Sequence, residues 1–188
     1  MDLFEAVRAR ASVRSFAPCD ISGAKLEAIV DAGRRAPSGY NRQPCQFVIV
    51  RDSAVLKALG KIQGCIAQAT AAIAVVVDEK ATPYWREDAA AAIENMLLAA
   101  TALRYASLWI EGYVLRNEAY GKEVLGVPPP LRLLAILPIG APAQDAQQAP
   151  KKPLASSRTQ TVTGSHGRPD GCRFRLAPSP PWRGHACR

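Results

Sequence analysis

The sequence predicts an α+β layer fold, and three observations carry that expectation. Short apolar runs at 47–50, 73–77 and 131–139 interleave with longer segments of helical periodicity. The connections are uneven and no G-x-G-x-x-G follows a strand, so the repeating βαβ units of a doubly wound sheet are not indicated. With 188 residues, 48% apolar and 21% charged, the chain has material for one core and too little charge for wholesale disorder.

Leu3, Phe4, Ala6 and Val7 fall at helical spacing, predicting an opening helix over 2–9 that stops near Arg10. A second, amphipathic helix begins after Asp20, Ile21 and Ser22; Leu26, Ile29 and Val30 carry it, and Gly33 stands where helices commonly end. The stretch 36–44 (APSGYNRQP) is loop chemistry, with two Pro, a Gly, a Ser and an Asn. Strands follow at 47–50 and at 73–77, the latter ending at Asp78. The segment 88–104 is Ala- and Leu-rich, lacks Gly and Pro, and is apolar nearly all round, which predicts a buried helix. A strand at 108–110 leads into Glu111-Gly112-Tyr113, a helix over 117–125 ends at Gly126, and a strand occupies 131–139. From Ala141 the composition turns to Ala, Gln, Pro and Lys, and after Leu154 no periodic pattern survives.

The net charge is +8, but +5 of it lies in 155–188. Basicity is therefore mostly a property of the tail, which argues against nucleic acid as a partner of the body. The tail offers only Phe174 and Trp182 as aromatics and no RNA- or DNA-reading motif, and its five net charges suffice at most for weak, salt-sensitive adhesion to a polyanion. The start of the chain has no apolar run suited to a secretion signal, and no window approaches 18 consecutive apolar residues, so a cytoplasmic chain without a membrane partner is expected. The five cysteines (19, 45, 65, 172 and 187) form no C-x-x-C pair, which argues for free thiols and against a zinc site. His166 and His185 both lie in the tail, so the body holds neither a His-dependent triad nor a His-ligated metal.

Three constellations carry chemistry. Arg10-Ala11-Ser12-Val13-Arg14 sets two guanidinium groups about a hydroxyl; in an extended segment alternate side chains share one side, so Arg10, Ser12 and Arg14 converge on an anion such as phosphate. A solvated basic surface is the competing reading of that spacing. Pro37-Ser38-Gly39-Tyr40-Asn41-Arg42-Gln43-Pro44 is a rigid loop of donors and acceptors that suits a heterocycle edge, or serves as an ordinary turn. Trp109-Ile110-Glu111-Gly112 places a glycine where backbone approaches a ligand closely, and Lys151-Lys152 adds cations.

Taken together and in order, RARASVRSF (8–16), RRAPSGYNRQPCQFVIV (34–50), EDAAAAIENMLLAATAL (87–103), WIEGY (109–113) and LAILPIGAP (134–142) followed by Lys151-Lys152 resemble the FMN-dependent nitroreductase family, as a short, single-domain member. The resemblance covers roughly residues 2–154. It implies a central, mainly antiparallel sheet flanked by helices, in an intertwined homodimer with FMN sites at the interface. It assigns Arg10, Ala11, Ser12, Arg14 and Lys151 to the phosphate and ribityl clamp. Pro37, Ser38 and Asn41 are assigned to a loop reaching the flavin from the partner subunit, and Ile110, Glu111 and Gly112 to a strand end whose backbone N–H faces flavin N5. It further implies that NAD(P)H passes hydride to the flavin and that a nitroaromatic, quinone or similar acceptor then takes the electrons in a ping-pong scheme. Dehalogenation, enone reduction and a flavoprotein impaired by its altered carboxyl terminus are the alternatives. The organisation expected is an FMN-binding domain over 1–154 and a disordered, basic Pro/Gly/Arg-rich tail over 155–188.

Three departures from the family pattern stand out. Cys45 follows Pro44 where an aromatic is common; as a free cysteine it is expected to be a small buried apolar residue rather than a reactive thiol. Arg104 stands where the family tends to have glycine closing a helix in the left-handed conformation, which implies strain of roughly 1 kcal/mol. After Leu154 the chain reads as a shifted reading frame of a G+C-rich gene would.

Overall fold

The computed structural model describes residues 1–157. Contacts divide the chain into Met1–Ala149 and a second unit from Pro150. In the first unit the order is α1 (Leu3–Ala9), β1 (Phe16–Ala17), α2 (Gly23–Arg34), a 3-10 turn (Gly39–Asn41), β2 (Cys45–Val50), α3 (Ser53–Leu59) and a second 3-10 turn (Gly64–Gln68). It continues with β3 (Ala71–Val77), α4 (Trp85–Ala102), β4 (Ala106–Ser107), α5 (Gly112–Arg116), α6 (Glu118–Leu125) and β5 (Arg132–Pro142). In the second unit the described part holds one 3-10 turn, Leu154–Ser156. The expected 155–188 tail falls mostly beyond the described residues, along with Cys172, Cys187 and both histidines.

The strands run β1-β5-β3-β2, with β4 also on β5, and every strand pair is antiparallel, as expected. β3 (AAIAVVV) is buried along its whole length because both faces are covered. Ala72, Ala74 and Val76 pack with Leu56, Leu59, Ile66, Val114 and Ile136; Ala71, Ile73, Val75 and Val77 pack with Leu26, Ile29, Ile93, Met96 and Leu137. Helices α2 and α4 thus cover one face, and α3, α5 and α6 the other. A register shift between Val75 and Val76 leaves Leu134 unpaired and puts Leu134 and Ala135 in the same cluster, a bulge in the strict alternation of β5.

Several sequence expectations are corrected here. Gly33 does not end α2: the helix runs through Arg34, and a Cβ on Gly33 would lie 2.7 Å from Met96 Cγ. Its missing side chain serves the close approach of α2 to α4. The strand expected at 108–110 lies earlier, at Ala106–Ser107, and Ile110 makes only an isolated bridge to Ile136. Gly112 opens α5 instead of following a strand. The α3 helix is not expected from the periodicity; the Asp52 side chain caps it, accepting from the N–H groups of Ala54 and Val55. Arg104 adopts φ 69°, the left-handed conformation expected of it.

Candidate functional site

The free edge of β5 gathers two of the three constellations. Along it lie β1 opposite Ala141 and Pro142, β4 opposite Ile139 and Gly140, and Ile110 opposite Ile136. The segment after α1 joins the same edge, because Ser12 bridges Ser107 and the Val13 N–H donates to Ser107 O at 3.1 Å. Val13 is buried, and Ala11 and Val13 line a cleft of about 260 Å³ with Thr101, Arg104 and Tyr105. Alternation leaves Arg10, Ser12 and Arg14 on the other side of the segment.

The cations there have weak internal partners. Arg10 Nε stands 3.8 Å from Glu94 Oε1, and Arg14 reaches only the carbonyl of Ser12 at 3.4 Å, with no carboxylate partner among the described residues. Gln148 Nε2 donates to the carbonyls of Val7 and Arg10, fastening the end of α1. Two buried polar atoms on the adjoining segment, Ser107 Oγ and Trp109 Nε1, have no hydrogen-bond partner. Weakly paired guanidinium groups, an exposed hydroxyl and unfilled hydrogen-bonding capacity form the donor set an anionic ligand requires.

At Ile110–Gly112 the geometry is narrower than the sequence suggested. The Ile110 N–H donates to Ile136 O at 3.1 Å, so it is engaged within the sheet. Glu111 and Gly112 stand at the start of α5, where N–H groups lack intrahelical acceptors. A Cβ on Gly112 would meet nothing within 4 Å, leaving open space above that backbone. Lys151 is exposed and belongs to the second unit.

The loop with Pro37, Ser38 and Asn41 is elsewhere. It enters β2 at Cys45, opposite Val77, whereas the Arg10–Arg14 segment borders the end of β5 that pairs with Ala71. Six residues along the strand, and four strand spacings across the sheet (β2 to β3, to β5, to β4, to the Ser12 segment), separate these corners by about 20 Å and about 19 Å respectively. Within one chain the loop and the arginines do not meet.

The loop is held in an unusual shape. Tyr40, Asn41 and Gln43 have φ of 52°, 54° and 49°, at a cost of about 1–2 kcal/mol for a residue without special tolerance. Its own bonds offset part of this: Asn41 N–H donates to Ser38 O at 2.9 Å and Gln43 N–H to Ser38 Oγ at 3.0 Å. Gly39 N–H donates to Asp88 Oδ1 at 2.8 Å, and Gly39 is pressed so close to Tyr84 that a Cβ would lie 2.6 Å from the ring. Behind the loop is a cleft of about 240 Å³ that includes Ser38, Gln43, Cys45 and Asp88. Burial, and secondarily the Asp88 charge, push the Cys45 thiol up to about 11, so it stays protonated at neutral pH and fits the expected inert residue. Asp88 and Tyr84 are the site-adjacent residues that sequence reasoning missed; the Glu87-Asp88 pair ahead of an alanine run was the available signal.

The model of the nitroreductase family matches residues 7–82 and 57–141. The chain belongs to the nitroreductase family. It is an oxidoreductase by that membership. This nitroreductase is 33% identical over 144 residues to a protein of Archaeoglobus fulgidus named "Putative NADH dehydrogenase/NAD(P)H nitroreductase", covering 72% of this chain and 83% of the relative. A crystal structure of a protein of that same name from Bacteroides thetaiotaomicron superposes with TM-score 0.78 at 27% identity, over 85% of this chain and 98% of that one. A "putative nitroreductase in complex with fmn" from Desulfovibrio desulfuricans superposes with TM-score 0.74 at 30% identity, over 87% and 99%. Among the described residues of this nitroreductase, no helix is long and apolar enough to cross a membrane and no cluster of metal-ligating side chains occurs.

Proposed function

We propose that this nitroreductase is an FMN-dependent, NAD(P)H-oxidising enzyme whose site is completed only between two copies of the chain. The observation that carries this reading is the placement of the Arg10–Arg14 clamp and the Pro37–Asn41 loop at diagonally opposite corners of one sheet. A second copy is then needed to bring a loop to a clamp. The donor set fits FMN: Arg10, Ser12 and Arg14 hold the phosphate with the Ala11 backbone. Glu111 and Gly112 offer backbone N–H groups in open space on the flavin side, with Ile110 as their anchor to the sheet. Pro37, Ser38 and Asn41 of the other copy border the ring.

When bound, FMN would supply hydride transfer between NAD(P)H and a nitroaromatic, quinone or similar acceptor. The chain's own part is to bind, orient and exclude water. Arg10 and Arg14 would draw the phosphate in by charge-assisted hydrogen bonds. A body without histidine is no handicap, since no protein acid or base is required for hydride transfer.

The test is a mixed dimer. Arg14→Ala and Asn41→Ala are each expected to weaken FMN binding at both sites. In a co-expressed heterodimer of the two, one site carries both defects and the other neither, so half of the FMN stoichiometry should return with unaltered affinity. Two weakened sites in the heterodimer, one with each single defect, would show that clamp and loop act within one chain and would refute the shared site.

A further inference from the structure

The Asp88 carboxylate is 6% exposed, on the first turn of α4, among Trp85, Ala89 and Ala92, all of which are buried. Oδ1 accepts the Gly39 N–H, whereas Oδ2 is buried without a partner. A half-satisfied buried carboxylate is costly where leucine or alanine would pack without penalty. The loop that Asp88 touches bonds mainly to itself: Asn41 to Ser38, Arg42 to Gly39 and Gln43 to Ser38. Among the described residues, the Gly39–Asp88 bond is the one hydrogen bond tying 38–43 to the helical layer. Gly39 suits that role, since its backbone comes against Tyr84 and Thr82 with no room for a side chain. Left-handed backbone at Tyr40, Asn41 and Gln43 persists only where surrounding contacts hold it.

We propose that Asp88 is a positioning residue that, through the Gly39 N–H, fixes the strained 38–43 loop in the shape in which it serves the flavin site of the partner subunit. This rests on the shared site proposed above. Asp88 is buried and bonds to the loop backbone alone, so its removal acts on FMN binding through loop shape.

The test uses the full chain, freed of flavin, and reads FMN affinity by quenching of FMN fluorescence together with thermal stability. Asp88→Ala and Asp88→Leu remove the acceptor. Leu has the same number of side-chain heavy atoms as Asp and keeps the packing, so it carries the test should the Ala variant not fold. Asp88→Asn keeps an oxygen for the Gly39 N–H. The expected result is an FMN Kd raised tenfold or more in the Ala and Leu variants and kept within threefold by Asn, while the Leu variant melts no lower than the unaltered protein. A Leu variant whose Kd rises less than tenfold, or an Asn variant outside threefold, overturns the proposal. So does a Leu variant in which melting temperature and affinity fall together, since that is the signature of a purely structural role. Failure of the unaltered protein to bind FMN at all is read in the first titration and refutes the shared flavin site itself.

Discussion

Helices α4 and α6 end in the same motif with different residues at its critical position, which permits a measurement with an internal control. At the end of α4 the Arg104 N–H donates to Thr101 O at 2.9 Å and the Tyr105 N–H to Ala100 O at 2.9 Å, the paired bonds of a Schellman motif. At the end of α6 Gly126 and Val127 make the equivalent bonds to Glu123 and Lys122. Gly126 has φ 66° and Arg104 φ 69°, so arginine occupies a conformation that glycine adopts freely. The left-handed backbone costs an L-residue about 1–2 kcal/mol, and glycine's larger unfolded-state freedom returns about 0.5–1 kcal/mol of that. Relative to Arg104→Ala, Arg104→Gly should therefore be more stable by about 0.5–1 kcal/mol, with a Tm higher by about 1–4 °C at this chain length. The Arg104 charge also sits at a helix C-terminus, where a cation stabilises by about 0.3–1 kcal/mol. Arg104→Ala loses that charge but keeps the Cβ, so it is the proper reference. Calorimetric or circular-dichroism melts of both variants, in matched flavin states because ligand shifts Tm, give the comparison. A Gly variant melting at or below the Ala variant would refute the strain argument. Gly126→Ala should show the reverse, a loss of about 1 kcal/mol.

Arg132 donates to both Glu118 oxygens at 2.8 Å and to Glu79 Oε2 at 2.7 Å, and the Leu133 N–H donates to Glu118 as well. The Arg132 guanidinium holds the Glu118 carboxyl below its ordinary value, so the stability it contributes is present at neutral pH and is lost as pH falls through the folded-state value. Glu118→Gln should lower stability by about 1–3 kcal/mol at pH 7, with the deficit shrinking below about pH 4 in urea melts across pH; a deficit independent of pH would contradict the pairing. Alkylation of Cys45, followed by peptide mass spectrometry at pH 8, should be about 100-fold slower in the native protein than in urea, because a thiol near 11 is about two units above an unperturbed one; equal rates would show the thiol is neither buried nor shifted. Removing 155–188 should leave FMN affinity unchanged and abolish salt-sensitive retention on a polyanion column, since that segment carries +5 of the net +8. Loss of FMN binding on that deletion would place the tail in the site.

The family and fold class were legible because their signals are local. The start of α2 after Ser22 and the end of α6 at the left-handed Gly126 are each decided within four residues. Alternation alone told which of residues 10–14 share a side, and the glycine-proline density of 36–44 marked a loop. Misreadings arose where a distant element outweighed local preference. Gly33 read as a terminus because glycine usually is one, yet Met96, 63 residues away, requires the missing side chain. The strand at 106–107 was displaced because register against β5 selects the paired residues, whatever the run of apolar side chains suggests. Asp88 was invisible as an anchor, since only the packing of α4 beneath the loop brings it to Gly39.

By itself the sequence determined the chemistry available: two arginines about a serine, a stiff polar loop, a glycine-permitted backbone, and no histidine in the body. What only the tertiary structure decided is where these lie. Strand pairing over dozens of residues puts the arginine clamp and Gly112 on one edge of the sheet and carries the loop to the opposite corner. Long-range register is a cooperative property of the whole sheet, whereas side-chain chemistry and turn preference belong to each residue and its immediate neighbours.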